Sequence, residues 1–248
     1  MKKILFSFCL LFLFNCEEAK KSLVKITAKS IKVDSTLSPD NSIENIIAPF
    51  RDKMETSINT VITYTKKDLV RTDGELESSL GNLMADLSFE RANPIFNKKT
   101  NKNIDFAMFN YGGIRAGIPA GEVTNKHAFE LMPFENSLVV VELKPEKIKE
   151  LVTYLIKNNK AHPLSKQIKL SVKNENYSLS INGDSFDNSR NYFVLTSDYL
   201  QSGGDKMDFF KNPVTLHKLD YKVRNAIIDY FKSKDTLISN LNERFKKQ

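Results

Sequence analysis

Cysteine is close to absent from this 248-residue chain: Cys9 and Cys16 are its two, both near the N-terminus. No pair of thiols is left to staple a domain beyond residue 16, so a disulfide scaffold is excluded there. Histidine is also scarce. His127, His162 and His217 stand far apart, in neither an Asp-x-His nor a Gly-Asn-His setting. Metal sites need their donors clustered, so each histidine reads as a surface or turn residue and not as a ligand. No block of five or more basic residues occurs, although the formal charge is +7. Scattered lysines argue against a nucleic-acid surface, while mild basicity favours small anions. No internal repeat or long low-complexity segment is visible.

What is present is ordinary for a folded chain. The hydrophobic fraction is 41% and the charged fraction 27%, both globular values. The length suits one large domain or two small ones. The N-terminus is distinctive. Lys2 and Lys3 precede an apolar run over residues 4–14. A cationic start with so short a run reads as a signal peptide, too short to span a bilayer. Asn15-Cys16 ends the run, and Glu17-Glu18 open a polar stretch. Two readings follow. One is a bacterial lipoprotein signal over 1–15, with Leu13 three positions before a lipidated Cys16. The other is plain secretion with cleavage near Ala19. The first gives an exported protein anchored to the cell envelope through Cys16, in the periplasm or at the outer membrane. It leaves 16–22 as a tether and 23–248 as the domain.

Periodicity predicts the elements in order. Residues 23–33 alternate loosely and predict one or two strands. From Ser42, the residues Ile43, Ile46, Ile47, Phe50 and Met54 share one helical face, with Pro49 predicting a kink or a split. Residues 59–64 predict a strand. Ser78 is a good N-cap for a helix through Leu80, Leu83, Met84 and Leu87. Asn82 and Asp86 on that helix read either as a solvated face or as groups holding a neighbouring turn. Strands follow at 104–109, 137–143, 167–172, 177–181, 192–196 and 214–216. Pro145 opens a helix at its favoured first position. Val223, Ile227, Tyr230 and Phe231 mark another helix, and 235–247 predict a polar C-terminal one.

Two clusters carry chemistry. In the first, a strand runs into Asn110-Tyr111-Gly112-Gly113, then Arg115, then Pro133-Phe134. Paired glycines allow positive φ and close approach of the backbone to another group. A forked cation suits phosphate or carboxylate, and a ring beside a proline in a loop is stiff. The second cluster, Thr196 to Asp205, repeats the order: strand, aromatic Tyr199, Gly203-Gly204 turn, polar tip. Amide, cation and aromatic faces together fit a nucleotide. Each also has a plainer reading: a simple turn, a surface arginine, a core phenylalanine.

Four segments in order resemble the C-terminal domain of the 5′-nucleotidase family. They are Ser79-Leu80-Gly81-Asn82-Leu83-Met84-Ala85-Asp86, Asn110-Tyr111-Gly112-Gly113-Ile114-Arg115, Pro133-Phe134-Glu135-Asn136 and Tyr199-Leu200-Gln201-Ser202-Gly203-Gly204-Asp205. The likeness covers roughly residues 20–235. It implies an α+β fold with mixed sheets covered by helices, in a layered α/β/β/α arrangement. It implies that Phe134 and Tyr199 sandwich a base, and that Asp205 holds ribose hydroxyls. Asn110 contacts the nucleoside, Arg115 the phosphate, and Gly113 and Gly204 shape the site.

There are departures from the family pattern. Tyr199 is often phenylalanine in relatives. Lys206-Met207 replace a usual Gly-Tyr. Lys169-Leu170-Ser171-Val172 stand where a Ser-Gly pair is usual. Leu76 stands where a further phosphate-contacting arginine is common, with Arg71 the nearest. Family enzymes hydrolyse at a two-metal site in an N-terminal metallophosphatase domain, and this chain offers no ligands for one. The resemblance therefore implies a substrate-recognition half, inactive alone and without its own cofactor. Its partners are a nucleoside or nucleotide and a separate metallophosphatase chain holding divalent metals. A stand-alone exported nucleotide-binding lipoprotein and a scaffold whose pocket no longer binds are the rival readings.

Overall fold

The computed structural model describes residues 22–174 and 176–247. The signal, Cys16 and nearly all of the expected tether lie outside the described residues. The chain divides into two units between residues 47 and 48.

In the first unit, residues 22–33 form no helix or strand and are exposed. The strand expected at 23–33 does not form. Its alternation finds no partner ladder, and a lone strand has no stability of its own. Helix α1 (Asn41–Ile58) begins here, capped by the Asp40 carboxylate, which accepts the Ser42 N–H at 2.8 Å. It runs as one helix through Pro49, so of the expected kink or split the split does not occur, and none of its residues is buried.

The second unit carries three mixed sheets among the described residues. The central one has the order β2-β8-β4-β9, from β2 (Phe106–Ala107), β4 (Ser137–Leu143), β8 (Tyr192–Ser197) and β9 (Thr215–Lys222). Ser-Leu-Val-Val-Val-Glu-Leu in β4 is buried on both faces. Such a strand has to be covered from both sides. Helix α2 (Ser79–Thr100) packs on β2 and β9, and α4 (Pro145–Asn158) packs on β4. The Ser78 hydroxyl caps α2 by accepting the Gly81 N–H at 3.0 Å, and Pro145 occupies the first turn of α4. A second sheet joins β1 (Val61–Thr65) to β3 (Gly121–Thr124). In the third, β5 (Ile168–Lys173) turns into β6 (Asn176–Ile181) and the short β7 (Asp184–Ser185). The β6–β7 turn places Asn182 at φ 56° and Gly183 at φ 89°, the pair that a tight hairpin demands. Short helices α3 (Asn125–Leu131), α5 (Asp198–Gln201) and α6 (Val223–Lys232) complete the unit. The whole is the α+β arrangement of helix-covered mixed sheets that the resemblance implies.

The C-terminal segment departs from expectation. Instead of a helix, it is a strap with two short strands. β10 (Thr236–Leu237) adds to β1, and β11 (Phe245–Lys247) adds to β5. Glu243 at φ 60° breaks any helix there. Glu77 accepts the N–H groups of Asn242, Glu243 and Arg244 at 3.2, 2.7 and 3.3 Å. The Arg244 guanidinium is buried and paired with Asp86 at 2.6 and 2.9 Å. Asn82, also buried, donates to Glu77 and to the Asn240 carbonyl. Asn82 and Asp86 are thus not a solvated face. They clasp the strap, and tertiary pairing overrides the local helical pattern.

Candidate functional site

Three chain segments leave the central sheet at one end. β2 pairs in parallel with β8, with Ala107 opposite Leu195, so both strands run out toward Asn110 and Tyr199. β4 is antiparallel to β8, with Leu138 opposite Ser197, so the residues before β4 arrive at the same end. Asp198 ties these segments by accepting the Ser137 N–H at 3.0 Å. Between them lies an open cavity of about 280 Å³. Asn110, Gly113, Arg115, Phe134, Tyr199 and Asp205 line it, together with Gly112 and Asn136. Six of the seven expected binding residues therefore meet in one place. Gly204, the seventh, lies beneath the Tyr199 ring.

The glycines act by close approach more than by handedness. A Cβ on Gly113 would stand 2.7 Å from the Asn110 Oδ1, and one on Gly204 would stand 2.4 Å from the Tyr199 ring. Only in the second pair does a positive φ occur, at Gly203 with φ 94°. Lys206 takes φ 60°, and Asp205 itself takes φ 52°. Its carboxylate accepts the Asn110 amide at 2.7 Å and the Tyr199 hydroxyl at 2.9 Å.

Phe134 and Tyr199 are 42% and 43% exposed, so neither is a core aromatic. Arg115 is exposed, with its guanidinium 5.8 Å from the Phe134 ring centre. Its N–H groups reach only the Gly112 carbonyl, at 3.4 Å, and among the described residues no carboxylate pairs with it. It is a charge with donors to spare, facing the cavity. Arg71 is committed elsewhere. Its N–H groups donate to the carbonyls of Tyr111 and Ile114, and its guanidinium covers the Tyr111 ring at 4.5 Å. Leu76, five positions further on, is a core residue.

Behind the cavity stand residues that the sequence did not mark. His162, expected at the surface or in a turn, is buried, with its Nδ1 accepting the Tyr111 N–H at 3.2 Å. Burial pushes its pKa down to about 4 against the weaker upward pull of Asp205, so the ring is neutral. The Tyr154 hydroxyl donates to the Asp205 carbonyl at 3.0 Å. Arg224 donates to the Pro133 carbonyl at 3.1 Å and pairs with Glu135, fixing the segment that carries Phe134. No sequence signal announces these three, since each acts across a tertiary contact. A larger groove of about 690 Å³ lies between Phe50 and Met54 of α1 and Phe129 of α3. Its open surface is mainly apolar, with Lys53, Lys126, Glu130 and Arg224 along it.

Among the described residues, no three of His, Cys, Asp and Glu are grouped to hold a metal ion. The described residues do not fit a two-metal centre.

A mixed α+β domain with a polar and aromatic cavity at the ends of its central strands is a ligand-pocket domain. The family model described as 5′-nucleotidase, C-terminal domain, matches residues 60–212, and the chain belongs to that family. A 5′-nucleotidase of Vibrio vulnificus is 30% identical over 143 residues, 54% of this chain and 23% of the relative. A cell wall protein of Listeria monocytogenes is 25% identical over 221 residues, 79% of this chain and 27% of the relative. The chain thus spans about a quarter of the length of these relatives. In fold it is similar to the crystal structure of a 5′-nucleotidase precursor from Thermus thermophilus, with a TM-score of 0.67 and 21% identity. That match covers 84% of this chain and 43% of the other.

Proposed function

We propose that this chain is the substrate-recognition half of a split 5′-nucleotidase acting in nucleotide catabolism. It binds a nucleoside or nucleotide, and a separate metallophosphatase chain, holding divalent metals, supplies the hydrolysis. The observation that carries the reading is the convergence of Phe134, Tyr199, Asn110 and Asp205 on one cavity, with Arg115 beside them and without a carboxylate partner among the described residues. The two rings offer faces for a base. Stacking of this kind is worth about 1–3 kcal/mol and tolerates different bases. The Asp205 carboxylate accepts ribose hydroxyls, a charge-assisted bond stronger than a neutral one. Arg115 meets the phosphate with its free fork. Gly113 and Gly204 let the backbone come close enough for these groups to meet. Family membership supports the same reading. The signal pattern and the cell wall relative support export, with Cys16 as the lipid anchor.

Titration of the purified protein with adenosine and AMP tests recognition. Saturable binding of both supports it, and no binding of either ends it. Phosphate release from AMP with added Mn²⁺ or Zn²⁺, with and without a metallophosphatase chain, tests the split. Turnover only with both chains is expected, because phosphate monoesters are among the slowest substrates to hydrolyse unaided. Metal-dependent turnover by the lone, contaminant-free chain overturns it. Binding without turnover beside every metallophosphatase supplied favours a stand-alone binding lipoprotein. Cys16→Ala is expected to leave the membrane fraction or to stay unprocessed. A processed, membrane-bound mutant removes the anchor from the proposal.

A further inference from the structure

Asp205 is held from three sides. Its Oδ1 accepts the Tyr199 hydroxyl at 2.9 Å, its Oδ2 accepts the Asn110 amide at 2.7 Å, and its carbonyl accepts the Tyr154 hydroxyl at 3.0 Å. All this is spent on a backbone in an unfavourable conformation, since Asp205 and Lys206 are consecutive non-glycine residues at positive φ. Such strain persists only where the surroundings over-determine it, and it clusters at ligand sites. Tyr199 is bound up with the arrangement. Its ring lies over Gly204, against the backbone that turns into Asp205.

The chemistry of the pair follows. A carboxylate has about four lone-pair sites on its two oxygens. One internal bond on each oxygen fixes the plane of the group and leaves an acceptor on each. Two adjacent acceptors on a fixed plane match the two donors of a vicinal diol. A free carboxylate has to be ordered when ligand binds, and one already pinned does not. We propose that Tyr199 is a positioning residue for the sugar as well as a stacking face for the base. Its hydroxyl, opposite Asn110, holds the Asp205 carboxylate in the plane that receives a ribose 2′,3′-diol. The site therefore selects ribosides over sugars lacking those hydroxyls. A phenylalanine at 199 keeps the stacking face and lacks this function. The inference rests on the nucleoside-binding reading above.

Calorimetric titration of the wild type and Tyr199→Phe with adenosine and 2′,3′-dideoxyadenosine tests it. Phenylalanine keeps the ring, so dideoxyadenosine binding stays within about twofold. Adenosine binding falls about three- to tenfold, the span of one hydrogen bond lost. In an Asp205→Ala background, the further change Tyr199→Phe has no effect on adenosine, since the group it positions is gone. Equal changes for both ligands, or no change for adenosine, overturn the inference and leave nucleoside binding standing. Equal wild-type affinity for the two ligands does the same. A wild type that binds neither ligand ends both readings.

Discussion

Leu138 of β4 lies opposite Ser197 of β8, and this pairing sets Phe134 and Tyr199 beside one cavity. The rings are 65 positions apart in the chain (199 − 134). Antiparallel pairing folds that distance away, and the Asp198 bond to the Ser137 N–H keeps the two ends in register. Phe134→Ala and Tyr199→Ala are each expected to cost about 1–3 kcal/mol of nucleoside binding. Both rings are well exposed, so the thermal stability of each mutant should fall by much less than the roughly 3–5 kcal/mol of a buried phenylalanine. A melt beside a titration separates the two costs. Full binding by both single mutants would remove the aromatic clamp.

Arg115 has spare donors and no carboxylate partner among the described residues. Arg115→Gln is therefore expected to weaken AMP about tenfold, the scale of a hydrogen bond to a charged group. Adenosine, which has no phosphate, should change by less than about twofold. The difference should shrink as salt is raised, because the group is exposed and screened. An equal loss for both ligands would mean that Arg115 shapes the loop and does not read phosphate.

His162 predicts a pH dependence. Its folded pKa of about 4 lies below the ordinary value, with burial as the main cause. A base held neutral in the fold makes the unfolded chain bind more protons, so stability falls as pH drops from about 6.5 toward 4. The full loss is on the order of 3 kcal/mol. Protonation also puts a hydrogen on Nδ1, where the Tyr111 N–H now donates, and loosens the loop that carries Asn110. Melts from pH 7.5 to pH 4.5 should show a slope that His162→Gln flattens. Parallel slopes in the two proteins would place the titration elsewhere.

The Asp86–Arg244 pair joins residues 158 positions apart and pins the C-terminal strap. Arg244 is 3% exposed at its side chain and Asp86 29%. Removing the acid strands a buried cation, whereas removing the cation leaves an acid that water can still reach. Asp86→Ala is therefore expected to destabilise by about 3–5 kcal/mol and Arg244→Ala by less. Urea unfolding of both mutants checks the order. The reverse order would show that the Arg244 bonds to the Leu164 and Asn82 carbonyls matter more than the ion pair.

Much of the fold was legible in local pattern. Ser78 before Leu80 and Pro145 at a helix start each act through their nearest neighbours in the chain, so the sequence alone specified where α2 and α4 begin. The two Gly-Gly segments also marked the cavity lining, because a backbone that must come within about 3 Å of a side chain tolerates no Cβ. Where the outcome depended on a distant partner, local pattern misled. Residues 23–33 alternate like a strand but find no ladder, and 235–247 carry a helical pattern but are drawn out by β1, β5 and Glu77. His162 looked like a surface residue because nothing near it in sequence shows that the Tyr111 amide will cover it. The Tyr199–Asp205–Asn110 lock belongs to the same class: the tyrosine hydroxyl was visible, but its direction was not. Propensity and capping are summed over a few residues, whereas burial, pairing and the aim of a polar group are set by whatever the completed fold brings alongside.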